Sequence, residues 1–238
     1  MNCKNCNHVV NENYCPNCGQ PAKLKRIDGH YIAHEIEHVL HFERGFLYTI
    51  KKLITEPGKT IREYISENRT RLVKPIIFII ITSLIYSLTS HFFHIKQGYI
   101  DFKDSSNSTP MLMFNWSQEH YGYANILMGV FIAVWIKIFF RKHGYNFFEI
   151  LILICFVTGM SMLIFALFAL FLGLTKIDLM QTAGTLGIVY CSWAIGQFFD
   201  KKKPINYLKA FLAYMLGMLT WALSIVGIGG LIDMLLKH

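Results

Sequence analysis

The chain has 238 residues, of which 53% are hydrophobic and only 16% carry a charge. Soluble domains carry roughly 25% charged residues, so this composition excludes an ordinary soluble protein and indicates several membrane segments. The formal net charge of +8 is best explained by attraction of basic residues to anionic lipid headgroups, and we expect no nucleic-acid partner.

Two C-x-x-C pairs separated by eight residues open the chain. Their members are Cys3, Cys6, Cys15 and Cys18. Gly19 follows the second pair and Asn7 follows the first, and both residue types tolerate the left-handed backbone of a zinc knuckle. This spacing favours a metal site over two disulfides. We therefore predict a zinc ribbon over residues 1–24, with a structural Zn²⁺ as cofactor and no catalytic residue.

The amino end of the chain enters this ribbon without a preceding apolar segment. We therefore expect no signal peptide, and the first long apolar run should act as the membrane-insertion signal.

The spacing of apolar residues over 25–74 predicts a cytoplasmic segment of three short amphipathic helices. The first is expected at about 29–44. Apolar positions at 46–54 mark the second, Pro57-Gly58 ends it, and 61–65 mark the third. Such helices either lie on the inner membrane surface or pack on one another, and the sequence favours neither arrangement.

A family resemblance rests on this amino-terminal part. The second cysteine pair lies in YCPNCGQ at 14–20, GFLYT stands at 45–49, and PGKTIREYI stands at 57–65. Over roughly residues 1–80 the chain resembles the bacterial membrane proteins grouped as domain of unknown function 3667. The resemblance implies an amino-terminal zinc ribbon followed by transmembrane helices, and it implies no particular activity.

Five apolar stretches follow, each long enough or nearly long enough to cross a bilayer, which takes about 20 residues of helix. They lie at about 75–95, 123–140, 150–175, 179–199 and 207–235. The predicted fold class is an all-α integral membrane protein, with a five-span domain at 75–238 preceded by the zinc ribbon and the amphipathic helices. The loop at 176–178 is so short that the helices on either side of it should be antiparallel neighbours.

The ends of these spans differ in charge. Lys and Arg residues near the span ends divide eleven to four in favour of the side that carries the amino-terminal segment. This bias predicts a multi-pass protein of the bacterial inner membrane with its amino terminus in the cytoplasm and its carboxyl terminus outside. The cytoplasm is reducing, so the cysteines would stay available for metal.

Polar and small residues inside the spans are expected to serve packing. Thr220 is expected to bond across helices, and glycines cluster at 227–230. The external loop ends in residues 111–122, which are expected in the outer headgroup layer.

His34-Glu35-Ile36-Glu37-His38 matches a metalloprotease pattern, in which the two histidines hold zinc and Glu35 polarises a water. Four histidines fall within the 12 residues 30–41, so a chance match is easy. Short helices also cannot enclose a catalytic cleft. The simpler interpretation is a polar helix face.

The leading hypothesis is a non-enzymatic membrane protein whose zinc ribbon recruits a protein partner on the cytoplasmic side. The alternatives are a membrane-tethered metalloprotease using His34, Glu35 and His38, and a small transporter or channel formed by the helical bundle. A transporter requires a polar cavity near the membrane midplane. Assembly into a homo-oligomer also remains open.

Overall fold

The computed structural model describes residues 45–67, 72–95 and 108–236, together with residues 2, 3, 6, 8, 9, 11 and 13–18 near the amino end. The chain divides into two compact units, Met1–Glu43 and Arg44–His238. The helix predicted at 29–44 and the His34-Glu35-x-x-His38 pattern within it lie outside the described residues.

The described part of the second unit consists of eight α-helices and one short 3₁₀ turn. They are α1 (Gly45–Thr55), α2 (Pro57–Ser66), α3 (Pro75–Phe92), α4 (Thr109–Glu119), α5 (Tyr121–Phe139), the turn Arg141–His143, α6 (Phe147–Thr175), α7 (Met180–Asp200) and α8 (Pro204–Leu236). The prediction of an all-α protein is confirmed for the described residues.

Four of these helices, α3, α5, α6 and α8, are long and apolar enough to cross a membrane by length and composition. The fifth predicted span, 179–199, is also a helix (α7), of 21 residues. However, it is not among the four, because polar residues such as Gln181 and Gln197 lower its mean hydropathy.

Local sequence accounts for where the helices begin and end. Pro75 and Pro204 are the first residues of α3 and α8, where a missing N–H leaves no bond unmade. Asn146 and Glu149 form a reciprocal capping box at the start of α6, with N···O distances of 2.9 and 2.7 Å. Lys176 ends that helix in a left-handed conformation with a φ of 61°.

Helix α6 is the central element of the bundle and packs against α3, α5 and α7. Phe156 and Val157 on it are fully buried, and Cys191 of α7 donates to Val157 O across 3.9 Å. Small residues allow the close approaches. A Cβ at Gly187 would lie 2.7 Å from Ser161 Oγ, and one at Gly217 would lie 2.5 Å from Ile132 Cα. The helices on either side of 176–178 are neighbours, as predicted.

Helices α3 and α6 run parallel but start at different levels. Gly159 lies against Phe78, and Gly173 lies against Phe93. These two contacts give nearly the same offset, by which α6 begins about eight or nine residues, or about 12–13 Å, before α3. Helices α1 and α2 occupy the space that this offset leaves. We call the end of the bundle that contains α1 and α2 the proximal end and the opposite end the distal end.

The distal end carries the short helix α4, which packs on the last helix. Asp233 of α8 accepts hydrogen bonds from both the N–H and the hydroxyl of Thr109, the first residue of α4. A Cβ at Gly229 would lie 2.6 Å from Pro110 N, whereas Gly227 and Gly230 meet nothing within 4 Å. Of the three clustered glycines, therefore, one is required for helix packing.

Two polar residues of the spans, Thr220 and Lys137, have defined contacts. Thr220 accepts a hydrogen bond from Trp135 Nε1 across 3.3 Å, which joins α8 to α5 as expected. Lys137, in the last turn of α5, donates to Tyr145 O across 2.5 Å.

Candidate functional site

The four amino-terminal cysteines form a compact group of thiols. Their sulfur atoms all lie within 4.8 Å of one another. Cys3 Sγ is 3.6 Å from Cys18 Sγ, and Cys6 Sγ is 3.5 Å from Cys15 Sγ. A Zn–S bond of about 2.3 Å implies sulfur–sulfur edges of about 3.8 Å in a tetrahedral site. The thiols are free rather than joined as disulfides, so the geometry fits a metal ion held by four sulfurs.

The backbone that carries these thiols turns back on itself. Asn2 and Val9 form an isolated antiparallel bridge, and the N–H of Cys3 donates to His8 O across 2.8 Å. These contacts close the first C-x-x-C pair into a tight loop. Cys3 and Cys15 are buried, whereas Cys18 is exposed.

One thiol of the group is shifted toward its anionic form. Hydrogen bonds from the His8 backbone, which has the largest effect, and from the Asn17 side chain and the Cys18 thiol together lower the pKa of Cys6 to about 6. Cys6 is therefore mostly thiolate at neutral pH, and the thiolate is the form that binds metal.

A second group of residues binds α2 to the carboxyl end of α7. Arg62 Nη1 donates to Gln197 O across 2.7 Å and to Phe198 O across 2.5 Å. Both carbonyls belong to the last turn of α7, where intrahelical partners run out and the helix dipole is negative. The guanidinium therefore caps a helix that lies 135 residues further along the chain.

Gly58 makes this contact possible. A Cβ there would come within 2.6 Å of Phe198 N and closer still to the carbonyl carbon and oxygen of Gln197. Since these are backbone atoms, no side-chain rotation relieves the clash. Gly58 and Arg62 are four residues apart and share one face of α2, and that face lies directly on α7.

Other residues of α1 and α2 complete the docking. Leu53 and Ile61 are fully buried, and Tyr190 of α7 donates its hydroxyl hydrogen to Leu53 O across 2.9 Å. The ring of Tyr64 meets that of Phe156 edge to face, with centroids 5.3 Å apart. The two helices thus pack on the bundle as well as on each other.

The sequence analysis counted Arg62 among the charges that set membrane orientation and predicted no contact between Arg62 and α7. A usable signal was present, because Gly58 and Arg62 stand at a spacing of four on the same helix face as apolar residues. The pattern indicates close backbone contact beside a cation. However, nothing in it identifies α7 as the partner.

The described residues thus define a class: a helical protein with four helices fit to cross a membrane and a four-thiol group that could bind a metal. A family model with the description "Protein of unknown function (DUF3667)" matches residues 43–87. This match confirms the resemblance seen in the sequence, and it covers α1, α2 and much of α3. The four cysteines lie outside it. No curated protein and no solved structure matches the chain.

Proposed function

We propose that this protein is a non-enzymatic integral membrane protein whose amino-terminal thiols hold a structural Zn²⁺ in a cytoplasmic docking module for another protein. The observation that carries the proposal is the convergence of four sulfur atoms within 4.8 Å. Four protein ligands complete a tetrahedral site and leave no position for a reactive water, so the metal serves to fold the module. A segment this short cannot bury enough apolar surface to fold without such a ligand.

The bundle supports an arrangement with five membrane crossings. Helix α7 returns from the distal to the proximal end between α6 and α8, and its 21 residues reach about 31 Å, close to the thickness of a hydrocarbon core. Its buried face includes Ala183, Gly187 and Ile195, so neighbouring helices shield part of its surface from lipid. We count it as the fifth span.

Charge supports a cytoplasmic location of the proximal end in a bacterial inner membrane. Basic residues collect there: Lys51, Lys52, Lys59, Arg62, Lys74, Arg141, Lys142, Lys201, Lys202 and Lys203. At the distal end, Lys176 is the one Lys or Arg among the described residues. An excess of positive charge marks the cytoplasmic side, so the carboxyl terminus would lie outside.

Metal counting on the full-length protein tests the zinc assignment. We expect one zinc per chain after purification from membranes and its loss in Cys15→Ser. Cys191→Ser is the matched control, because that thiol is buried in α7, outside the four-thiol group. Zinc that persists in Cys15→Ser, or that disappears in a His34→Ala/His38→Ala double variant, would contradict the proposed site.

Crosslinking in native membranes tests the docking role. A specific partner should crosslink to the wild type and to Cys191→Ser, and it should be lost in Cys15→Ser and in a chain that lacks the first 24 residues. Equal capture by all four proteins would show that the module recruits nothing. A reporter that is active only in the cytosol can be fused after His238. Activity of this fusion would refute the proposed orientation.

A further inference from the structure

A groove with a volume of about 730 Å³ lies between α3, α5 and α6. Sites for small ligands and cofactors have volumes of about 300–1,000 Å³ and mostly apolar walls. The rim of the groove includes Ile76, Val130 and Phe148, which are 60%, 38% and 74% exposed. The groove therefore opens on the outer surface of the bundle, which faces lipid if these helices cross a membrane.

Asn125 on α5 is a polar exception in this wall. The residue is only 6% exposed, and its Nδ2 atom finds no hydrogen-bond partner among the described residues. Native folds leave few buried donors unpaired. Hydrocarbon cannot satisfy this amide, so an occupant of the groove should carry a hydrogen-bond acceptor.

Lys74 stands where the groove meets the amino end of α3. It is exposed, and no described Asp or Glu lies on the groove wall. Its side chain does not cap the free N–H groups in the first turn of α3. The ammonium group and the positive end of the helix dipole therefore lie together and favour an anion.

The two polar features lie at a spacing that one molecule can bridge. Gly122 of α5 lies beside Ser83 of α3, at 3.7 Å from the position of an added Cβ. Three residues further along the antiparallel helix, Asn125 lies near the level of Ile80. Ile80 is six residues, or about 9 Å, from Lys74 along α3. In a phospholipid, a glycerol unit separates the phosphate from the ester carbonyls by a few ångströms less, and the flexible Lys74 side chain can cover the difference.

We propose that this groove binds one membrane phospholipid. The phosphate lies against Lys74 and the amino end of α3, an acyl chain lies along the apolar wall, and an ester carbonyl accepts a hydrogen bond from the Asn125 amide. A peptide helix would fill the apolar wall, but it would bring no phosphate to Lys74. This proposal does not depend on the zinc module.

Lipid titration of the delipidated full-length protein, followed by native mass spectrometry, tests the site. The wild type should retain one phosphatidylglycerol. Val130→Trp, which fills the groove, should weaken that binding at least tenfold. Val134→Trp is the matched control, because Val134 is 45% exposed one turn further along α5 and does not line the groove. Equal lipid binding by both variants would overturn the proposal. Detection of a dimer without bound lipid would overturn it too, because a second copy of the chain would then occupy the groove.

Two further substitutions test the chemistry. Lys74→Gln should weaken phosphatidylglycerol binding about fivefold, the effect of about 1 kcal/mol for one cation near an anionic surface, and should leave binding of diacylglycerol, which has no phosphate, nearly unchanged. Asn125→Leu should weaken binding of the diester lipid and leave the diether analogue unaffected. If the wild type does not distinguish diester from diether lipid, the assignment of the amide is wrong.

Discussion

Replacing Gly58 with alanine should detach α2 from the carboxyl end of α7. In the native structure the added methyl group would lie 2.6 Å from Phe198 N and even closer to the carbonyl group of Gln197. Ordinary carbon contacts begin near 3.5 Å, so the two helices must separate by about 1 Å. The hydrogen bonds from Arg62 to the last turn of α7 would then lengthen and lose their geometry.

The size of the effect follows from three terms. Overpacking a tight contact costs about 1–3 kcal/mol. Weakening the bonds from the charged Arg62 side chain, now 2.7 and 2.5 Å long, removes up to about 1.5–3 kcal/mol. Alanine favours the helical state over glycine by about 1 kcal/mol, which opposes the loss. We therefore expect the docking of α2 to weaken by about 2–4 kcal/mol.

Amide hydrogen exchange of the protein in nanodiscs measures the weakened docking of α2 directly. The amides of residues 57–66 should exchange at least tenfold faster in Gly58→Ala, while those in the middle of α6 should stay protected. Gly230→Ala is the matched control, because a Cβ at that position in α8 meets nothing within 4 Å. Arg62→Met should reproduce part of the effect without adding a clash.

Unchanged protection of residues 57–66 in Gly58→Ala would refute the reasoning, because it would mean that α2 does not rest on the α7 backbone. Equal destabilisation by Gly230→Ala would refute it too, since the effect would then come from glycine replacement in general.

Two further predictions concern single hydrogen bonds. Asp233→Ala should release the amino end of Thr109–Glu119 and speed amide exchange in that helix by about tenfold, since a carboxylate at a helix amino end contributes about 1 kcal/mol or more; unchanged exchange would show that other contacts hold the helix. Thr49→Val should leave the buried N–H of Val73 without the hydroxyl acceptor now 3.1 Å away and should lower the free energy of unfolding by about 1–3 kcal/mol. The exposed Thr55→Val should change it by less than about 0.5 kcal/mol, and equal losses in both variants would contradict the assigned hydrogen bond.

Much of the helical framework could be predicted because its signals are local. The predicted spans 75–95 and 150–175 became Pro75–Phe92 and Phe147–Thr175, since apolar length and a flanking proline or cap are properties of a short window of sequence. The candidate metal site could be predicted for the same reason, because two C-x-x-C pairs bring their thiols together within one small loop.

The place of α1 and α2 could not be predicted in this way. Their sequence left open whether they lie on the membrane or pack on each other. In the structure they also pack on the bundle, in the space left because α3 begins further from the proximal end than α6 does. Helices can also be apolar on several sides, as α6 is, so periodicity does not identify their neighbours.

The amino-acid sequence by itself determined which long apolar segments are helical and which thiols can meet, because each of these depends on residues close together in the chain. Only the tertiary structure decided that Arg62 caps α7 and that Asn125 lines a groove with no hydrogen-bond partner for its Nδ2 among the described residues. Both depend on the relative offset of helices far apart in the chain, and that offset is set by how small and large side chains fit across the whole bundle.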